Sequence, residues 1–191
     1  MAAALKIPEV MTVEQFLNWA SPGSWLWQLI DGMPVAMSPP SPRHGAIQGE
    51  IAGRIWAHLR AKRDGCSLLV TPGVIPPFQS DRNFMIPDLA VTCTATDMDR
   101  PALRDPVLIV EILSPSNHAE TWRNVWAYMT IPALREILVV RTAAIGVELL
   151  RRNADGSWPD QPLSLTDNEV TLDSIGLTLP IPALYRSVGD A

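Results

Sequence analysis

Val107-Leu-Ile-Val-Glu-Ile-Leu113, closed by Ser114-Pro-Ser-Asn117, is the stretch on which the fold turns. It is apolar except at Glu111 and rich in β-branched residues, the pattern of a central strand buried on both faces. Such a strand needs elements packed above and below it. The residues after it predict a helix over about Ala119–Met129, with Trp122, Val125, Trp126 and Met129 on one face. Upstream, Ile47, Ile51, Ile55 and Leu59 recur every four residues and predict a helix from about Arg43 to Arg63, ended by Asp64-Gly65.

Around these lie shorter extended runs: Ser67–Val70, Gly73–Ile75, Met85–Val91, Arg135–Val140 and Gly146–Leu150, with Asp155-Gly156 as a turn. Near the start, Thr12 caps a short helix reaching Trp19, and Ser21-Pro22-Gly23 stops it. Trp25–Ile30 and Pro34–Met37 flank Asp31-Gly32, a strong hairpin signal, before Ser38-Pro-Pro-Ser-Pro42 breaks the chain. The order of helices and strands predicts an α/β (α+β) fold with a mixed central sheet flanked by helices. The expected division is one domain over 1–191: helix and hairpin over 1–42, a core over 43–152, and an extension with further strands over 153–191.

Composition narrows the function. Asp plus Glu number 20 against 15 Lys plus Arg, a net charge of −5, so no general basic coat exists for gripping nucleic acid. Any such contact has to be local. No apolar run approaches the roughly 20 residues that span a bilayer, and Met1–Lys6 lacks the order of a secretory signal. Cys66 and Cys93 are too few for a metal cluster and sit in apolar surroundings, so buried free thiols in a cytoplasmic protein are expected. Lys6 and Lys62 are the only lysines; the remaining 13 of the 15 basic residues are arginines.

Two acids stand in otherwise apolar strands: Asp88, after Pro87, and Glu111. Burying a carboxylate costs several kcal/mol unless cations or donors compensate. Singly, Asp88 reads as a turn cap and Glu111 as the partner of an arginine. If the two strands are neighbours, the carboxylates converge, and a divalent cation relieves their repulsion. Oxygen ligands favour Mg²⁺ or Mn²⁺ over zinc.

Pro-Asp, a gap of about twenty residues and a strand glutamate form an order that resembles the PD-(D/E)xK nuclease pattern. The chain as a whole resembles the Uma-type family of restriction-endonuclease-like proteins. The residues that carry this are Leu29-Ile-Asp-Gly32, Met37–His44, Ile86-Pro-Asp-Leu-Ala-Val91, Val110-Glu-Ile-Leu-Ser-Pro-Ser116 and Ile131-Pro-Ala-Leu-Arg-Glu-Ile137. The resemblance implies a restriction-endonuclease-like core in which Asp88 and Glu111 hold the metal of a DNA-cleaving enzyme that works as a homodimer. It also offers Glu50 as a third acid, with a solvated helix face as the alternative. His44 is either site-facing or a core histidine bonded to backbone.

The resemblance breaks at one place. The family pattern uses a lysine; here the third position of the Glu-x-Lys element is Leu113, and the substitute place on the following helix holds Asn124. Asn124 can donate a hydrogen bond but carries no charge. Lys62 lies 18 residues beyond His44, roughly 27 Å along a helix. Arg123 is the nearest cation, about 100° around the helix from Asn124. Two expectations follow: a Mg²⁺-dependent endonuclease assisted by Asn124 or Arg123, or an inactive descendant that binds nucleic acid or a partner. The Arg60–Arg63 and Arg151-Arg152 clusters read as solvated ends, and Trp122 with Trp126 as packing.

Overall fold

The computed structural model describes residues 10–63, 65–95, 97 and 99–189. Met1–Lys6 and Asp64, the first residue of the helix-ending pair, lie outside the described residues. Thr12 caps α1 (Val13–Leu17) through a reciprocal capping box with Gln15. The hairpin turns at Asp31-Gly32 between β1 (Trp27–Ile30) and β2 (Met33–Ala36), both turn residues having positive φ, at 50° and 83°. A positive φ at both positions is what a two-residue type I′ hairpin loop requires.

Ser41 caps α2 (Pro42–Lys62), with Pro42 in the first turn, where its missing N–H does no harm. The stripe of Ile47, Ile51, Ile55 and Leu59 is fully buried as its spacing predicts. Next come β3 (Ser67–Val70), β4 (Leu89–Thr92), β5 (Pro106–Leu113), α3 (His118–Tyr128), β6 (Glu136–Arg141), β7 (Val147–Arg151) and β8 (Leu163–Leu165). The β strands from β3 to β8 form one six-stranded mixed sheet in sequence order. Only β5 and β6 run parallel, and α3 is the crossover that a parallel pair needs. The last pair, β9 (Glu169–Leu172) and β10 (Leu177–Pro180), forms a separate hairpin.

Side-chain alternation along β5 decides which layer each residue meets. Leu108, Val110 and Ile112 join the cluster beneath α2, which also contains Val170, Leu172, Ile181 and Leu184 from the C-terminal stretch. Ile109 and Leu113 join the cluster beneath α3, with Val125, Tyr128, Ile137 and Val139. Glu111 shares their parity and therefore lies on the α3 side.

Three expectations need correction. Cys66 and Cys93 are not free thiols: they form a disulfide joining the residue before β3 to the residue after β4. Antiparallel pairing of Ser67 with Thr92 brings these flanking positions together, and Cys93 is exposed rather than buried. The face of α3 that packs inward is Thr121, Asn124, Val125 and Tyr128, while Trp126 is 53% exposed. Spacing alone selects a face, but large rings bias the choice toward the wrong one. Arg151 and Arg152 are not solvated ends. Arg151 pairs with Glu136 and Asp173, and Arg152 donates to the carbonyls of Leu134, Met129, Ile131 and Gly156 while lying over Trp158.

Candidate active site

The antiparallel register pairs Leu89 with Val110, and one further step sets Asp88, just ahead of β4, alongside Glu111 in β5. Asp88 is held tightly. Its Oδ2 accepts the backbone N–H of Ile112 at 2.6 Å, and its Oδ1 lies 3.3 Å from Nε2 of His44. The Asp88 carbonyl accepts from the Thr71 N–H and from Gln48 Nε2, each at 3.0 Å. His44 occupies the first turn of α2 and is buried, with its ring turned to Asp88 rather than to backbone carbonyls. Its Nδ1 has no hydrogen-bond partner.

Glu111 is the anomaly. It is 7% exposed, and its Oε1 is buried without a hydrogen-bond partner. No arginine approaches it among the described residues; its surroundings are Asp88, the Tyr128 hydroxyl and Glu120. The Tyr128 hydroxyl comes near but stops short of a well-formed hydrogen bond. Burial pushes the Glu111 carboxyl well above the usual carboxylate range, and the neighbouring Asp88 charge pushes it further. The Tyr128 hydroxyl is driven up as well, first by its own burial and then by Glu111.

The inner face of α3 closes this site from the other side. Asn124 is buried, and its Nδ2 faces Gln28 Oε1 at 3.5 Å. Gln28, in β1, also accepts the Ile86 N–H at 3.0 Å and directs its Nε2 toward Glu120 Oε1 at 3.5 Å. Gln28 and Glu120 escaped the sequence reading. Their signals were present: Gln28 interrupts an apolar strand, and Glu120 precedes Asn124 by four residues on one helix.

The structure does not bring Glu50 to the acid pair. Its carboxylate accepts the Ser187 hydroxyl at 2.7 Å and faces Arg54 at 3.3 Å, toward the C-terminal stretch. The Ser187 bond and the Arg54 charge hold it below its ordinary range. Arg123, on the outer side of α3, is exposed.

Among the described residues no group of three or more His, Cys, Asp or Glu side chains is gathered as a metal cage. Two convergent carboxylates, one with an unpartnered buried oxygen, instead suit an ion that keeps most of its water. Mg²⁺ binds in this way, through one or two carboxylates and substrate phosphate.

A family model described as "Putative restriction endonuclease", Uma2, matches residues 13–182. The chain belongs to the Uma2 family. The candidate site residues all fall inside the matched span. A Synechocystis protein titled "Uncharacterized protein slr1290" is 26% identical over 181 residues, covering 93% of each chain. A crystal structure titled as a putative nuclease belonging to DUF820 from Anabaena variabilis superposes with a TM-score of 0.74 at 18% identity, covering 92% of this chain and 98% of that one. The mixed sheet flanked by helices is thus a fold shared with that structure. No described helix of this Uma2 protein is long and apolar enough to cross a membrane.

Proposed function

We propose that this protein is a divalent-cation-dependent endonuclease that hydrolyses DNA phosphodiester bonds, with Asp88 and Glu111 as the ion-holding carboxylates. The observation that carries the reading is the unpartnered buried oxygen of Glu111 beside the Asp88 carboxylate. Mg²⁺ or Mn²⁺ held there would supply Lewis acidity at a phosphodiester. The Ile112 N–H and the His44 ring fix the orientation of Asp88. Asn124 offers a neutral donor where the family pattern uses a lysine, and Arg123 is the nearest cation. Two copies would address the two strands of a duplex. A homodimer is the assembly proposed; its cytoplasmic placement keeps to the sequence expectation, with no described helix long and apolar enough to cross a membrane, and does not rest on free thiols, which the Cys66–Cys93 disulfide replaces.

A second reading has its own support. The lysine is missing, and Lys62 donates to the Ile175 carbonyl rather than to the acid pair. Loss of one such electrostatic stabiliser costs on the order of 10²–10³ in rate. An inactive nuclease-fold protein that binds nucleic acid or a partner fits that loss. Nicking of supercoiled plasmid with Mg²⁺ or Mn²⁺ separates the readings. Cutting by the wild type that disappears in both Asp88→Ala and Glu111→Ala supports the enzyme. No cutting, or equal traces in all three, leaves the binding protein.

A further inference from the structure

The outer face of α3 borders a cavity of about 500 Å³, closed by the end of β1 and by the segment carrying Phe78. Its walls include the rings of Phe78, Trp122 and Trp126 and the side chain of Ile30, with Arg123 and Asp31 as its charged groups. Phe78 and Trp126 are 52% and 53% exposed, so the rings are presented to solvent rather than locked in the core.

The cavity adjoins the acid pair through two elements. Gln28, which bonds to Asn124 and Glu120, and Ile30, which lines the cavity, are two residues apart on β1. They share one face, about 6.6 Å apart. On α3, Tyr128 and Glu120 act on Glu111 and Asn124 faces Gln28, while Trp122, Arg123 and Trp126 face the cavity.

We propose that this cavity takes an unpaired nucleobase of the DNA strand whose backbone lies at Asp88 and Glu111. The assignment rests on the nuclease reading for the class of the strand. Flat apolar walls stack any base, since every base has a π-face. Arg123 at the rim meets the adjoining phosphate, and Asp31 accepts from an exocyclic amine. A chain with net charge −5 and no basic coat draws its affinity from stacking plus a single local cation rather than from charge alone.

The test is fluorescence anisotropy with a short labelled single-stranded oligodeoxynucleotide in EDTA, where no cutting occurs. The same strand carrying one abasic site and a fully paired duplex serve as comparators. Trp126→Ala, an exposed position, is expected to weaken the single strand about 5- to 100-fold. The abasic strand should show the same loss on the wild type and little further loss on the variant. Arg123→Gln should lower the slope of log affinity against log salt by about 0.7. Equal binding of intact and abasic strands, unchanged affinity of Trp126→Ala, or preference for the duplex overturns the proposal. So does a concentration-dependent dimer that Trp126→Ala dissociates while the oligonucleotide affinity stays fixed. Because binding is read without metal, its failure leaves plasmid nicking free to succeed, and a failure of nicking leaves the base pocket standing.

Discussion

Replacing each of two buried glutamates by glutamine should move stability in opposite directions. Glu136 is 1% exposed and fully compensated: its Oε1 accepts Arg151 Nε at 2.6 Å and the Asp173 N–H at 3.1 Å, and its Oε2 accepts the Ser174 N–H at 2.7 Å. Glu136→Gln keeps one oxygen for three donors and replaces the other by an amine that faces one of them. Hydrogen bonds to a charged group contribute about 1.5–3 kcal/mol each, and Arg151 retains Asp173 at 3.0 Å, so a loss of about 2–4 kcal/mol is expected. Glu111 has the opposite environment, an orphaned oxygen and a like charge beside it. Glu111→Gln removes the charge and gives Asp88 a donor, a gain of about 1–3 kcal/mol. Each kcal/mol shifts the melting midpoint by about 2–4 °C in a chain of this size.

The pH dependence fixes the cause. The folded Glu111 carboxyl titrates above its unfolded value, so between the two the native state holds more protons and stability falls as pH rises. The advantage of Glu111→Gln is therefore full above the folded value and shrinks as pH drops toward about 4.3, where the unfolded carboxyl titrates. Thermal and urea melts in EDTA across this range measure both variants. A Glu111→Gln protein less stable than wild type at neutral pH, or a neutral Glu136→Gln, refutes the argument.

Two further outcomes are expected. Reducing Cys66–Cys93 opens a link of sequence separation 27, and loop closure of that length is worth about 3 kcal/mol; dithiothreitol should lower the urea midpoint of the wild type but not of Cys66→Ser/Cys93→Ser. Asn124→Lys puts a cation on the buried face of α3 toward Gln28, on the helix that also carries Tyr128 and Glu120 near Glu111, and plasmid nicking should rise by about 10²-fold, while a variant that folds but cuts no faster argues for the binding protein.

The sequence made the sheet legible wherever pattern and packing agree. The α2 stripe, the Asp31-Gly32 hairpin and the β5 run are each dictated by local chemistry and appear within two residues of their expected bounds. Asp88 and Glu111 stood out because a carboxylate in an apolar run demands a reason. What stayed hidden depends on tertiary approach. Arg151 and Arg152 look like any paired surface arginines until β7 is placed beside β6 and the Glu136 carboxylate. The disulfide needs the β3–β4 register, which two cysteines 27 residues apart do not reveal. Gln28 reaches the site only because the hairpin folds over α3, a contact between residues 96 positions apart.

Glu136 also bears on how Glu111 is to be understood. The same chain, when it needs a glutamate inside, surrounds it with an arginine and two backbone donors. With 13 arginines available, nothing in the composition prevents the same arrangement at Glu111. Two cations on the flanking helices are turned elsewhere: Arg43, beside His44, donates its Nε to the Thr142 carbonyl at 2.7 Å, and Arg123 borders the aromatic cavity. A carboxylate buried for packing alone would be replaced by leucine or methionine at a gain in stability. The deficit at Glu111 is thus one unpartnered oxygen, with Asp88 as the stronger and Glu120 as the weaker like charge. Relief must come from a proton or from a cation supplied by the solvent, and only the second lets both carboxylates stay ionised together. That is why a metal titration on Glu111→Gln, whose neutral amide has no deficit to relieve, should show no added thermal stability where the wild type gains it.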